Sequence, residues 1–77
     1  MLTHLQHRTL SLIHRHVSES GIPPTVRELC KQLDKKGIGA VHGVLARLEE
    51  RGFIRRLPRR ARAIEIIKLP ENMKGKA

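Results

Sequence analysis

Arg55, Arg56, Arg59, Arg60 and Arg62 crowd into one short stretch, and Lys35, Lys36, Arg47 and Arg51 add to them from further up the chain. Cations grouped in this way can clamp phosphate oxygens, and arginines at the tip of a hairpin can enter a minor groove. The plainer alternative for any one of them is a solvated charge, the usual place of Lys and Arg. Ahead of the arginines, Gly37-Ile38-Gly39-Ala40-Val41-His42-Gly43 presents backbone more than side chains. Glycine lets a partner approach closely but supplies no contact of its own, so this segment either fits tightly against a partner or has lost the groups that read one. His42 is the one polar side chain on it, placed to donate to a base or a phosphate, or simply to face solvent.

Other chemistry is hard to assemble from these residues. His4 and His7 are spaced i, i+3, but no Cys or carboxylate falls at a spacing that completes a zinc set. His16, beside Val17, reads as a part-buried core histidine, and Cys30, on an apolar helix face, as a small buried hydrophobe. No Ser-Lys, Cys-His or paired-carboxylate arrangement stands out, and a chain this short has little room for a closed cleft. The expectation is a binding protein: no enzyme, no catalytic residues, no metal, no cofactor and no small-molecule substrate.

Sixteen Lys and Arg stand against seven Asp and Glu, a formal net charge of +9 and a pI near 11.2. That balance favours a polyanionic partner, with nucleic acid leading. The 39% apolar and 30% charged residues are globular values, and because Phe53 is the single aromatic residue the core must be aliphatic. Seventy-seven residues make one small domain, which buries only about 60% of its unfolded surface. A lone cysteine forms no internal disulfide, and no apolar run reaches the length of a membrane span or signal segment. A cytoplasmic, nucleoid-associated protein without membrane contact is expected.

The positioning elements follow from local signals. Thr3 with Gln6 is a capping-box pattern that starts a helix at about His4, with Leu10, Ile13 and Val17 on its apolar face and Leu5, Thr9 and Leu12 flanking. Gly21 supplies a left-handed stop. Ile22-Pro23-Pro24 is an extended, rigid spacer. Thr25 with Glu28 repeats the capping box for a second helix carrying Val26, Leu29, Cys30 and Leu33, and Asp34 to Lys36 form a turn. A third helix runs from Gly37 or Ile38 to Arg51, with Val41, Val44, Leu45 and Leu48 inward, held by packing from Leu45 onward and ended by Gly52. Beyond it, period-two alternation over Phe53–Leu57 and Ala63–Ile67, interrupted by Pro58 to Arg62, predicts an antiparallel hairpin with a basic tip. Phe53, Ile64 and Ile66 are expected to pack it onto the helices. The fold class is mainly α with a small β-hairpin, a three-helix winged helix-turn-helix over residues 1–69 followed by a polar tail at 70–77.

Leu2 to Leu33, with Gly21, Pro23, Pro24, Thr25 and Glu28 as its most specific part, and Leu45 to Ile54, with Leu45, Leu48, Gly52 and Ile54, resemble the N-terminal DNA-binding domain of the LexA repressor family. The resemblance covers roughly Leu2 to Ile67 without a gap. It implies a winged helix whose third helix enters the DNA major groove while the wing lies on the backbone or minor groove. The chain departs from the family at 37–43, where a Ser-Pro-Asn-Ala-type segment followed by acidic residues is usual, so the family's operator sequence does not carry over. No counterpart of the family's self-cleaving domain, with its Ser-Lys dyad, scissile Ala-Gly bond and main dimer interface, is expected within these 77 residues.

The expected function is therefore a DNA-binding transcriptional regulator, monomeric in solution and able to pair on double-stranded DNA. Helix 2 would cross the backbone with Thr25 and Arg27 near a phosphate. Gly37, Gly39, Ala40, His42, Gly43, Arg47 and Arg51 would lie along the third helix's contact, the wing arginines from Arg55 to Arg62 would supply most of the affinity, and any specificity would rest on His42, Lys35, Lys36, Arg47 and the shape of the DNA. Two alternatives stay open: a winged-helix module that docks its basic wing on an acidic protein, and non-specific nucleic-acid binding.

Overall fold

The computed structural model describes residues 2–33, 37–58 and 63–70. In order along the chain they form α1 (His4–Ser20), α2 (Val26–Leu33), α3 (Ile38–Glu50), β1 (Ile54–Arg56) and β2 (Ile64–Ile66). The two strands pair antiparallel, Ile54 opposite Ile66, Arg55 opposite Glu65 and Arg56 opposite Ile64. The expected turn at Asp34 to Lys36, the hairpin tip at Arg59 to Arg62 and the tail from 71 onward lie outside the described residues.

Both capping boxes are formed. The Thr3 hydroxyl accepts from the Gln6 N–H at 3.1 Å while Gln6 Oε1 accepts from the Thr3 N–H at 3.1 Å. At α2 the Thr25 hydroxyl accepts from the Glu28 N–H at 3.1 Å and Glu28 Oε1 from the Thr25 N–H at 2.8 Å. Each box satisfies N–H groups that a helix start leaves without intrahelical partners.

The two left-handed glycines end their helices differently. Gly21, at φ 79, donates back to the Val17 carbonyl at 2.8 Å. After α3 the C-cap Arg51 is still right-handed and Gly52, at φ 81, follows it. There Phe53 N–H reaches Leu48 O and Gly52 N–H reaches Glu49 O, both at 3.0 Å, the double bond of a Schellman motif. A Cβ at Gly52 would meet only the Lys68 side chain, at 3.8 Å, so the backbone sets the cost of substitution. Gly52→Ala is expected to lower stability by about 1 kcal/mol, the scale of forcing a side chain into the left-handed region. A urea melt reads this directly, and an unshifted midpoint would contradict it.

Thr9, Leu10 and Ile13 of α1, Leu29 and Leu33 of α2, and Val41, Val44, Leu45 and Leu48 of α3 are buried together with Ile54 and Ile64 of the hairpin. Buried Thr9 is satisfied within its own helix, its hydroxyl donating to the Leu5 carbonyl at 2.8 Å. Val41 is 1% exposed, so packing anchors α3 from its first turn, earlier than the expected start at Leu45. Phe53 packs against the core as expected, but a hairpin residue outside the expected set is buried deeper. Ile54 is the buried one, while Phe53 is half-buried at the margin, its ring covered by the Lys68 ammonium 5.0 Å from the centroid. Ile64 packs as predicted, and Ile66 and Cys30 lie half-buried against the core. His16 is part-buried and ties the first junction: its Nδ1 donates to the Ile22 carbonyl at 2.8 Å, and its Nε2 lies 3.7 Å from Glu28.

Candidate nucleic-acid interface

α3 has two faces with unrelated duties. Val41, Val44, Leu45 and Leu48 face the core, while Gly37, Ile38, Gly39, Ala40, His42 and Gly43 are exposed. A Cβ built on Gly37, Gly39 or Gly43 meets nothing within 4 Å, so among the described residues no packing demand explains these glycines. The helix begins at Gly37 without a side-chain cap, in contrast to α1 and α2. Among the described residues no side chain caps its first N–H groups, an arrangement suited to an anion. Ile38, 53% exposed, is a second feature that sequence reasoning passed over. It stands three residues before Val41, at a spacing that continues the Val41–Val44–Leu48 stripe, yet it lies outside the core.

Thr25 and Arg27 sit at the start of α2. Thr25 is half-buried and its hydroxyl oxygen is occupied as an acceptor, which leaves the O–H proton to donate. Arg27 is exposed, as is Arg51 at the end of α3. An open groove of about 490 Å³ runs between the start of α2, the outer side of α3 and the hairpin. Pro24, Val26, His42, Glu49, Arg56 and Leu57 are among its lining residues. Lys35, Lys36, Arg59, Arg60 and Arg62 lie outside the described residues.

The described arginines of α3 and the wing, Arg47, Arg55 and Arg56, have carboxylate partners. Arg47 Nη1 lies 3.4 Å from Glu50 Oε1, both side chains 68% exposed. Arg55 pairs with Glu65, its cross-strand neighbour. Exposed pairs of this kind contribute little and are screened by salt, so a phosphate can replace the carboxylate. Arg56 differs. Its backbone N–H donates to Glu49 Oε2 at 3.1 Å and its Nε–H to Glu49 Oε1 at 3.2 Å, with both side chains about two-thirds covered. The Arg56 N–H above all, against a partial opposing effect of desolvation, and then the guanidinium hold the Glu49 carboxyl below the usual glutamate range. A depressed carboxyl stabilises the fold at neutral pH, and that contribution is lost as the pH falls below the ordinary glutamate range. Glu49 and Glu50 were absent from the sequence-predicted site.

Among the described residues no group of His, Cys, Asp and Glu is placed to hold a metal ion, and no helix is long and apolar enough to cross a membrane.

Three helices, the third with an exposed outer face, followed by a hairpin against that helix's C-terminal end, define a winged helix-turn-helix domain. The chain matches the family model of the LexA DNA binding domain over residues 1–63. It is also 48% identical over 77 residues to the LexA repressor of Novosphingobium aromaticivorans, a match that takes in all of this chain and 33% of that protein. The chain belongs to the LexA DNA-binding-domain family, and it spans about a third of the length of the curated relative it matches.

Proposed function

We propose that the chain binds double-stranded DNA as a LexA-type transcriptional repressor, with α3 in the major groove and the wing on phosphate or the minor groove. The observation that carries this reading is the outer face of α3 from Gly37 to Gly43. It is exposed, small and begins at an uncapped helix terminus, so backbone N–H groups and methyl surface can come close to a duplex. Thr25, Arg27, Arg47 and Arg51 are assigned to phosphate, together with Lys35 and Lys36. Arg55 joins them by exchanging Glu65 for phosphate, and Arg59, Arg60 and Arg62 extend the wing's contact. The role is binding rather than catalysis, at the cytoplasmic nucleoid, by a monomer that pairs on adjacent half-sites.

His42 is the one polar side chain among the exposed residues from 37 to 43, and this favours a second form of the same reading: tight but weakly discriminating binding. Apolar groups on that face can touch thymine methyls, but bidentate base contacts are missing. Binding measured across a salt series tests the proposal. With six to ten phosphates engaged, affinity should fall about 10³- to 10⁵-fold between about 50 and 200 mM salt. Salt-insensitive or undetectable binding to duplex DNA would refute it. Selection from a random-sequence pool then separates the two forms by whether a motif emerges.

A further inference from the structure

We infer that Glu49 is a positioning residue for DNA binding, holding the wing at a fixed angle to α3, and that Arg56 acts through Glu49 rather than on phosphate. The inference rests on the proposal that α3 and the wing meet one duplex. Leu57 N–H donates to Ala63 O at 2.7 Å and Ile67 N–H to Phe53 O at 2.8 Å, so residues 53, 55 and 57 turn their hydrogen-bonding groups toward β2. By the alternation of an antiparallel pair, the Arg56 N–H falls on the opposite, open edge of β1.

The Glu49 carboxylate, in the last turn of α3, covers that edge. One oxygen takes the main-chain N–H and the other takes Nε. A bond to a strand's main chain fixes the strand itself, which a pair of side chains alone does not. Between Glu49 and the Arg56 N–H the chain reverses through Gly52, and Ile54, on the same face as Arg56, is buried in the core. The wing therefore meets the helices through two buried apolar anchors, Ile54 and Ile64, and one charged clasp. The clasp is the only one of the three Arg–Glu pairs in the described wing and α3 that engages backbone.

The chemistry gives this inference an unusual sign. A carboxylate near a DNA-binding face repels phosphate, so removing it by itself tightens binding. A positioning carboxylate does the reverse. The test uses the whole chain and a duplex taken from the random-pool selection. Glu49→Ala is expected to bind about tenfold more weakly than the parent, with an unchanged salt slope. Glu49→Gln keeps an acceptor oxygen without the charge and is expected to fall between the two. If both variants bind as tightly as the parent or tighter, the inference is overturned. Arg56→Ala keeps the main-chain bond and is expected to leave the salt slope unchanged; a slope reduced by about one marks a phosphate contact and overturns the assignment of Arg56.

Hydrogen exchange of the Arg56 amide in the free protein reads the clasp without DNA. Protection in the parent that is lost in Glu49→Ala supports it, and fast exchange in the parent overturns it. Failure of the parent to bind DNA, with the amide still protected, would instead count against the DNA-binding proposal.

Discussion

Leu45→Ala is expected to leave a substantial fraction of the chain unfolded at room temperature. Leu45 is fully buried in α3, in a core that it shares with α1, α2 and the hairpin. Removing its isobutyl group costs about 2–5 kcal/mol, the transfer energy of the lost atoms plus the cavity they leave. A single core in a chain this short rarely supplies more than about 3–5 kcal/mol in total. The substitution therefore takes most of what there is. Circular dichroism with a urea titration checks it, and a parent-like midpoint would show that the core is deeper than its residues indicate. Phe53→Ala is the internal comparison: half-buried at the margin of the core, it should shift the midpoint much less.

The second large effect falls on binding with the fold intact. Gly43 lies mid-helix on the exposed side of α3, with open space where a side chain would stand. Gly43→Ala should therefore raise stability by about 1 kcal/mol through helix propensity alone. Gly43→Glu should fold as well as the parent, yet bind DNA at least about 100-fold more weakly, since juxtaposed like charges cost several kcal/mol. The alanine variant refines the geometry. Weaker binding by a more stable protein means the helix backbone touches the duplex, and unchanged binding means that it stands off. Parent-like binding by Gly43→Glu would remove this face of α3 from the interface.

These two substitutions also mark the boundary of what could be read from the chain. The caps were legible because each is a local contract: Thr3 with Gln6, Thr25 with Glu28, and glycine at 21 and 52 act within a few residues of themselves. The inward stripe of α3 was legible because helical period leaves no second choice for Val41, Val44, Leu45 and Leu48. The face of the hairpin was not. Phe53 and Ile54 are adjacent and both apolar, so alternation admits either inward; burial of Ile54 follows from where the turn through Gly52 delivers the strand. The carboxylate partners were hidden for a related reason. Glu65 becomes the neighbour of Arg55 only when the register is known, and Glu49 meets Arg56 only after the chain has reversed. Counting arginines measured the charge on the wing; it could not tell which of those charges were already engaged.

The separation of duties along α3 has a consequence for how such a protein changes. The exposed positions 37, 39, 40, 42 and 43 carry no side chain that the core uses, so a library randomised there would sample recognition while nearly every member still folds. Because the wing is clasped from Glu49, two turns beyond Gly43, its placement would stay constant across that library. Differences in sequence preference between members could then be credited to the five varied positions alone, which makes this short helix a practical surface for learning new DNA sites one residue at a time.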